Sequence, residues 1–374
     1  MRRAFIIAIE NYTDMQEILA TSLPGTHQAA AAFHDWLLND HGLQQKHIYF
    51  CTDDTNAAGR TTGATFKEIV AELRRLKKEG KDQTDELYCF FIGHGLCYSD
   101  VPGARPADVI PASDYRDRSQ SGNECVRIDE LQQSLRIGLG PRDHFYFIDC
   151  CRNLLKIGDI DLGKLGIGWD SSKLGQPTVY TLYSTIQGAT AAVGSGFPAA
   201  LIEALKGTGR AKVWRGPNMA VVFDSVKSYV EAKLPAQPID QRKEGSRDGV
   251  ILEISPPPKK QCEVIVTDSA PADVFTVKLG DYRGRPIHTD TFTGPRWSSL
   301  EEPDDYTVTA DLAGRRVAPL DPLPADLYED CTVHFAKQPP SAAGAGPPAT
   351  PTGPTAGDDI AADQRRDRSE QAGE

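Results

Sequence analysis

From residue 4 to about residue 254 the chain alternates short apolar runs with stretches whose apolar residues recur at helical spacing. AFIIAI (4–9), HIYFCT (47–52), ELYCFFIG (86–93), HFYFID (144–149) and TVYTLYS (178–184) are dense in β-branched and aromatic residues and read as strands. QAAAAFHDWLLNDHG (28–42) and TFKEIVAELRRLKKEG (65–80) read as helices, each closing on a glycine suited to a C-terminal cap. PAALIEALKG (198–207) and NMAVVFDSVKSYVEAKL (218–234) read as two more. Strand-helix-strand order with apolar strands predicts an α/β unit: a mainly parallel sheet sandwiched by helices.

After residue 254 the pattern changes. Pro256, Pro257 and Pro258 with Lys259 and Lys260 make a linker, because consecutive prolines favour extended backbone. CEVIVTD, VFTVKLGD, YTVTADLAG and CTVHFAK then alternate as short strands between turn residues, the pattern of a small antiparallel sandwich. From Gln338 onward proline, alanine, glycine and charge dominate, which predicts disorder. The expected organisation is therefore 1–254, an α/β domain; 255–337, a small all-β sandwich serving as a structural or docking accessory; and 338–374, a disordered tail. No repeat of fixed period is present.

Composition narrows the function classes. Of 374 residues, 40% are hydrophobic and 25% charged, and no apolar run approaches the roughly 20 residues a membrane crossing needs. The opening MRRAFIIAIENY is interrupted at Glu10, so it reads as a buried first strand rather than a secretory leader. A cytoplasmic location follows as an expectation, with the eight cysteines as thiols. No CxxC pair or zinc-type spacing occurs, so no metal or other cofactor is expected. A net charge of -11 without a basic run argues against a nucleic-acid partner.

Candidate chemistry sits where two strands end. ELYCFFIG runs into His94-Gly95, and HFYFID runs into Cys150-Cys151-Arg152. In an open α/β sheet, loops at the carboxyl edge share a crevice. A thiol attacks as its thiolate, and an imidazole is suited to take its proton. Alone, a His-Gly is an ordinary loop and a cysteine an ordinary small apolar residue; the pairing raises both. Cys151 lies 57 positions after His94, near the spacing of about 50 in one cysteine-peptidase signature. Alternation along a strand directs only one of Cys150 and Cys151 into the crevice. The amide of Gly95, with that of Cys151, is a candidate oxyanion donor.

These segments, taken in order, resemble the caspase and metacaspase peptidase family, of the caspase-haemoglobinase fold in its prokaryotic type, over about two-thirds of the chain. AFIIAIENY resembles the family's first strand, PGTHQAAAAFHDWL its first helix, HIYFCTDD its second strand and DELYCFFIGHG its histidine strand. VIPASDYRD, VRIDELQQSL and FYFIDCCRN resemble the segments leading to its Asp-x-Cys nucleophile, and TLYSTIQGATAAV with SGFPAALIEALKG its last strand and helix. The resemblance implies Cys151 as nucleophile, His94 as base and Cys150 as a core residue. It further implies that Asp149 lines the primary specificity pocket and selects Arg or Lys before the scissile bond. Gln28 stands where metacaspases carry a second pocket acid, and Ser184 is a further candidate for the pocket wall. Asp149 and Ser184 both also fit purely structural roles. The clustered acids of calcium-dependent members are not matched by the scattered Asp100, Asp108, Asp114 and Asp117.

The implied activity is a cysteine endopeptidase acting on protein substrates through an acyl-enzyme, in a cell-death or defence setting. The sandwich would then hold a regulatory protein partner. Residues 153–177 read as a long loop, and self-cleavage is expected at one of Lys156, Lys164 or Lys173. A catalytically silent caspase-like scaffold is the alternative, disfavoured by the presence of both His94 and Cys151. A nucleotide-binding domain is disfavoured because neither a Walker loop nor GxGxxG follows the first strand.

Overall fold

The computed structural model describes residues 1–13, 22–57, 59, 61–81, 83–98, 106–115, 124–139, 142–154, 177–189, 196–215, 218–255, 259–280, 286–301, 305–312, 315–316, 318–319, 325–326 and 330–336. The apolar runs form the central sheet: β1 (Arg2–Ala8), β2 (Ile48–Thr52), the short β3 (Thr61–Thr62), β4 (Glu86–Ile92), β8 (Asp143–Asp149) and β10 (Thr178–Tyr183). Their order across the sheet is β10-β8-β4-β1-β2-β3, all parallel. Its β10 edge is closed by β13 (Asp240–Glu244), antiparallel to β10. β13 reads DQRKE, so no apolar alternation announces it; charged side chains are what an exposed edge strand carries against unwanted pairing.

Both faces of this sheet are buried, as continuous apolar strands require. α1 (Thr26–Asn39), α4 (Phe197–Leu205) and α5 (Phe223–Lys233) cover one face; Phe33, Trp36, Leu201 and Phe223 pack there against Ile6, Phe90 and Phe147. α2 (Phe66–Gly80) and α3 (Ile128–Gly138) cover the other, where Ile69, Leu73, Leu131 and Leu135 meet Ile7, Phe91 and Ile148. α2 begins at Thr65 with a reciprocal capping box to Glu68. α1 ends before Gly42, whose φ of +73° fits the left-handed turn of a helix stop.

Residues 218–234, expected as one helix, are instead a strand followed by a helix. β12 (Asn218–Val222) lies between β11 (Lys212–Arg215) and β14 (Val250–Ile254), and α5 starts only at Phe223. The run MAVV suits either state locally; antiparallel neighbours on both sides decide for the strand. A further small sheet, β5 (Leu96–Tyr98), β6 (Ala107–Pro111), β7 (Cys125–Arg127) and β9 (Asn153–Leu154), sits beyond the ends of β4 and β8.

The later strands β15 (Lys260–Thr267), β16 (Val274–Gly280), β17 (Pro286–Thr293), β18 (Arg296–Glu301), β19 (Asp305–Leu312) and Cys331–Ala336 form two sheets around a core of their own. Val264, Val266, Phe275, Val277, Val308 and Phe335 fill it. The sandwich departs from the expected antiparallel pattern at one place: β15 and Cys331–Ala336 run parallel. The first and last of its long strands are thus neighbours, which sequence order alone does not reveal.

Candidate active site

β4 and β8 are parallel neighbours, paired from Glu86 with Asp143 to Ile92 with Asp149. Pairing resumes beyond their ends between β5 and β9, at Leu96 with Asn153. Both registers have the same sequence interval that separates His94 from Cys151, so these two residues stand side by side in the gap. The two chains pass closely there. Gly93 N–H donates to the carbonyl of Asp149 at 3.3 Å. A Cβ on Gly95 would stand 2.4 Å from Cys150 Sγ and 2.4 Å from the Cys151 carbonyl oxygen, so glycine is required at that position.

His94 is 4% exposed. Its backbone N–H donates to Tyr12 Oη at 2.8 Å, and the two rings lie 4.8 Å apart between centroids. Burial pushes the Tyr12 phenol far up, so it stays a neutral donor and acceptor. The loop carrying Tyr12 is itself anchored. Asp53 at the end of β2 accepts from the backbone N–H groups of Glu10 and Asn11 at 2.9 Å each, and lies 2.7 Å from His27 Nε2 on α1. Burial opposes the Asp53 carboxylate, but these hydrogen bonds hold it below its ordinary range.

The adjacent cysteines differ. Cys150 packs among Tyr146 and Ile148 on the α2/α3 side, and burial, aided by the charges of Asp108 and Asp149, raises its thiol well above the ordinary value. Cys151, two residues past the end of β8, is half-buried; the strand's alternation, if continued to it, points to the α1 side. Asp149 is half-buried on that α1 parity, shared with Phe145 and Phe147. Ser184 lies alongside it, one step past the pairing of Tyr183 with Ile148. Ser184 is fully buried, its N–H donating to the Ile148 carbonyl at 2.9 Å, and its Oγ has no hydrogen-bond partner among the described residues. Gln28 is exposed in the first turn of α1. Lys156, Lys164 and Lys173 lie outside the described residues.

The sequence model of the peptidase family described as the caspase domain matches residues 1–270. The chain belongs to that caspase-domain family. A protein of a Desulfuromonadales bacterium described as a probable protease is 25% identical over 362 residues, covering 90% of this chain and 40% of the relative. The chain thus spans about two fifths of that relative's length. A crystal structure of caspase-1 from Spodoptera frugiperda superposes with a TM-score of 0.41 at 16% identity, covering 67% of this chain and 88% of the other.

Within the caspase domain, the residue after Cys151 anchors the candidate site to three other elements. The Arg152 side chain is completely buried. Its guanidinium meets Asp108 on β6 through two hydrogen bonds of 2.9 and 3.1 Å, Asp240 on β13 at 2.6 Å and the Thr185 carbonyl at 3.1 Å. It also sits 4.0 Å over the Tyr183 ring. Arg242 adds a second cation, 3.2 Å from Asp108. Burial opposes the Asp108 carboxylate, yet bonds from Arg152 and Cys97 keep its titration below the usual range. Reciprocally, burial and then the hydrogen bond to Asp108 push the Cys97 thiol up to about 12.

Sequence reasoning placed Asp108 only among scattered acids and passed over Arg152, Asp240 and Tyr12. Arginine directly after a strand-end cysteine was the available signal, because a buried guanidinium needs carboxylates brought to it. Asp114, another of the scattered acids, accepts from the first backbone N–H of α2, at Phe66, at 2.8 Å.

Proposed function

We propose that this chain is a cysteine endopeptidase in which Cys151 attacks the scissile carbonyl and His94 manages the proton. The carrying observation is the shared register on either side of the pair, which sets both at one gap of the carboxyl edge. His94 takes the Cys151 proton, and the thiolate adds to the carbonyl carbon. The amides of Gly95 and Cys151 face the developing oxyanion. His94 returns the proton to the leaving amine, and water then hydrolyses the thioester with His94 as base.

Asp149, on the α1 side with Ser184 beside it, supplies the negative charge for an Arg or Lys side chain before the scissile bond. Self-cleavage after Lys156, Lys164 or Lys173 belongs to the same preference. Cleavage of a randomised peptide library tests the reading. Hydrolysis after basic residues by the parent, lost in Cys151→Ala and redirected toward neutral residues in Asp149→Asn, is expected. A parent that leaves the library intact, or cleaves it equally well as Cys151→Ala, would overturn it.

A further inference from the structure

We propose that Cys262 and Cys331 are a covalent modification site: a dithiol that oxidises reversibly to a disulfide and staples the first long strand of the β-sandwich to the last. Cys262 lies on β15 and is paired in register with Cys331 on the parallel neighbour. Adjacent strands run about 4.8 Å apart. That separation falls inside the range of about 4.4–6.8 Å between Cα atoms of bridged cysteines.

Both side chains point the same way. Alternation on β15 buries Cys262, Val264 and Val266, and Cys331 shares the parity of the buried Val333 and Phe335 and packs on the same cluster. The neighbouring Cys331 sulfur, and then burial, push the titration of the Cys262 thiol up. Among the described strand pairings, only this one sets two cysteines opposite each other. Neither sulfur is in a disulfide here.

Exposure sets the order of events. Cys262 is fully buried, whereas Cys331 is half-buried and open to a small oxidant. With hydrogen peroxide as oxidant, the Cys331 sulfur attacks one peroxide oxygen and the O–O bond breaks; the departing hydroxide takes the Cys331 thiol proton and leaves as water, and Cys331 becomes a sulfenic acid. The Cys262 sulfur then attacks the Cys331 sulfur, the S–O bond breaks, and its thiol proton leaves with the hydroxyl as a second water. Two thiols are oxidised and one peroxide is reduced. Bridging positions 262 and 331 removes the freedom of the long intervening segment in the unfolded chain.

The test uses the full-length protein treated with hydrogen peroxide, quenched with N-ethylmaleimide in denaturant and digested with trypsin. Mass spectrometry should find the Cys262 peptide joined to the Cys331 peptide, two hydrogens lighter than their sum, and separated by a phosphine reductant. The melting temperature should rise by several degrees on oxidation and fall back on reduction. Cys331→Ser should show neither effect; if it does not fold, Cys262→Ser provides the same comparison. Recovery of both cysteines as labelled thiols at a peroxide level that fully oxidises Cys151 would overturn the proposal, as would a linked form that melts no higher. Peptide cleavage is not a readout, so this result stands apart from the fate of the proposed activity.

Discussion

At the scale of the residue, Cys150 and Cys151 are chemically identical neighbours in opposite surroundings. Cys150 is inside the α2/α3 core with a raised thiol, while Cys151 is half-buried beside the His94 segment. Cys151→Ala is expected to lower peptide hydrolysis at least about a thousandfold, as loss of a nucleophile does in such units. Cys150→Ala should keep most activity and cost about 1 kcal/mol of stability through its small cavity, read in a urea titration. Tyr12 acts through the His94 backbone. Tyr12→Phe leaves that buried N–H without its acceptor, a penalty of about 1–3 kcal/mol. Steady-state kinetics should show kcat falling about tenfold with KM little changed, since a loss of about 1.4 kcal/mol in the transition state corresponds to that factor.

At the scale of the element, the segment after β8 is held by charge rather than by packing. Arg152 ties it to β6 through Asp108 and to β13 through Asp240, while its own N–H donates to the Ala189 carbonyl at 2.9 Å. Asp108 is 4% exposed, so removing its charge leaves the buried guanidinium without the carboxylate it meets through two hydrogen bonds, with Asp240 still beside it. Asp108→Asn is expected to destabilise the fold by about 3–5 kcal/mol, whereas a joint change to Arg152→Met and Asp108→Leu should cost less than the two singles added together. Urea midpoints of the four proteins in that cycle give the coupling. Additive losses would mean that the two side chains do not act as a pair.

At the scale of the whole molecule, two buried histidines shape the response to acid. His41 stacks on Trp36 and meets the Tyr88 ring edge to face, and His144 is buried in β8. Burial, helped by Arg2 for His41 and by Arg136 for His144, lowers each to about 3 from its ordinary value. In the unfolded chain both take a proton near pH 6.5. Between about pH 6.5 and about 3 the unfolded state therefore binds protons that the native state refuses, and stability falls as pH falls. Melting temperature against pH should decline from about 6.5 downward, before the lowered Asp53 and Asp108 carboxylates add their share, and His144→Phe should flatten the upper part of that decline. The proposed division of the chain at residue 254 makes a second expectation at this scale. A 1–254 fragment should retain peptide hydrolysis, because His94, Cys151, Asp149 and the Arg152 network all precede the cut; a folded but inert fragment would assign the sandwich a part in the site.

The sequence by itself determined what depends on local pattern. Apolar strands, the two helical faces, the change of character after residue 254 and a histidine and a cysteine at strand ends all follow from side-chain periodicity and chemical type, which neighbours in sequence set. Tertiary structure decided what depends on partners distant in the chain. β12 became a strand because β11 and β14 flank it, and β13 is a strand despite its polar residues because β10 offers an unpaired edge. Asp108, Asp240 and Arg152 carry no joint signal until three elements converge, since the energy of a buried charge depends on its surroundings and not on its spacing. The pairing of Cys262 with Cys331 is of the same kind: a parallel neighbour is chosen by the closure of the whole sandwich, which no local run of residues encodes.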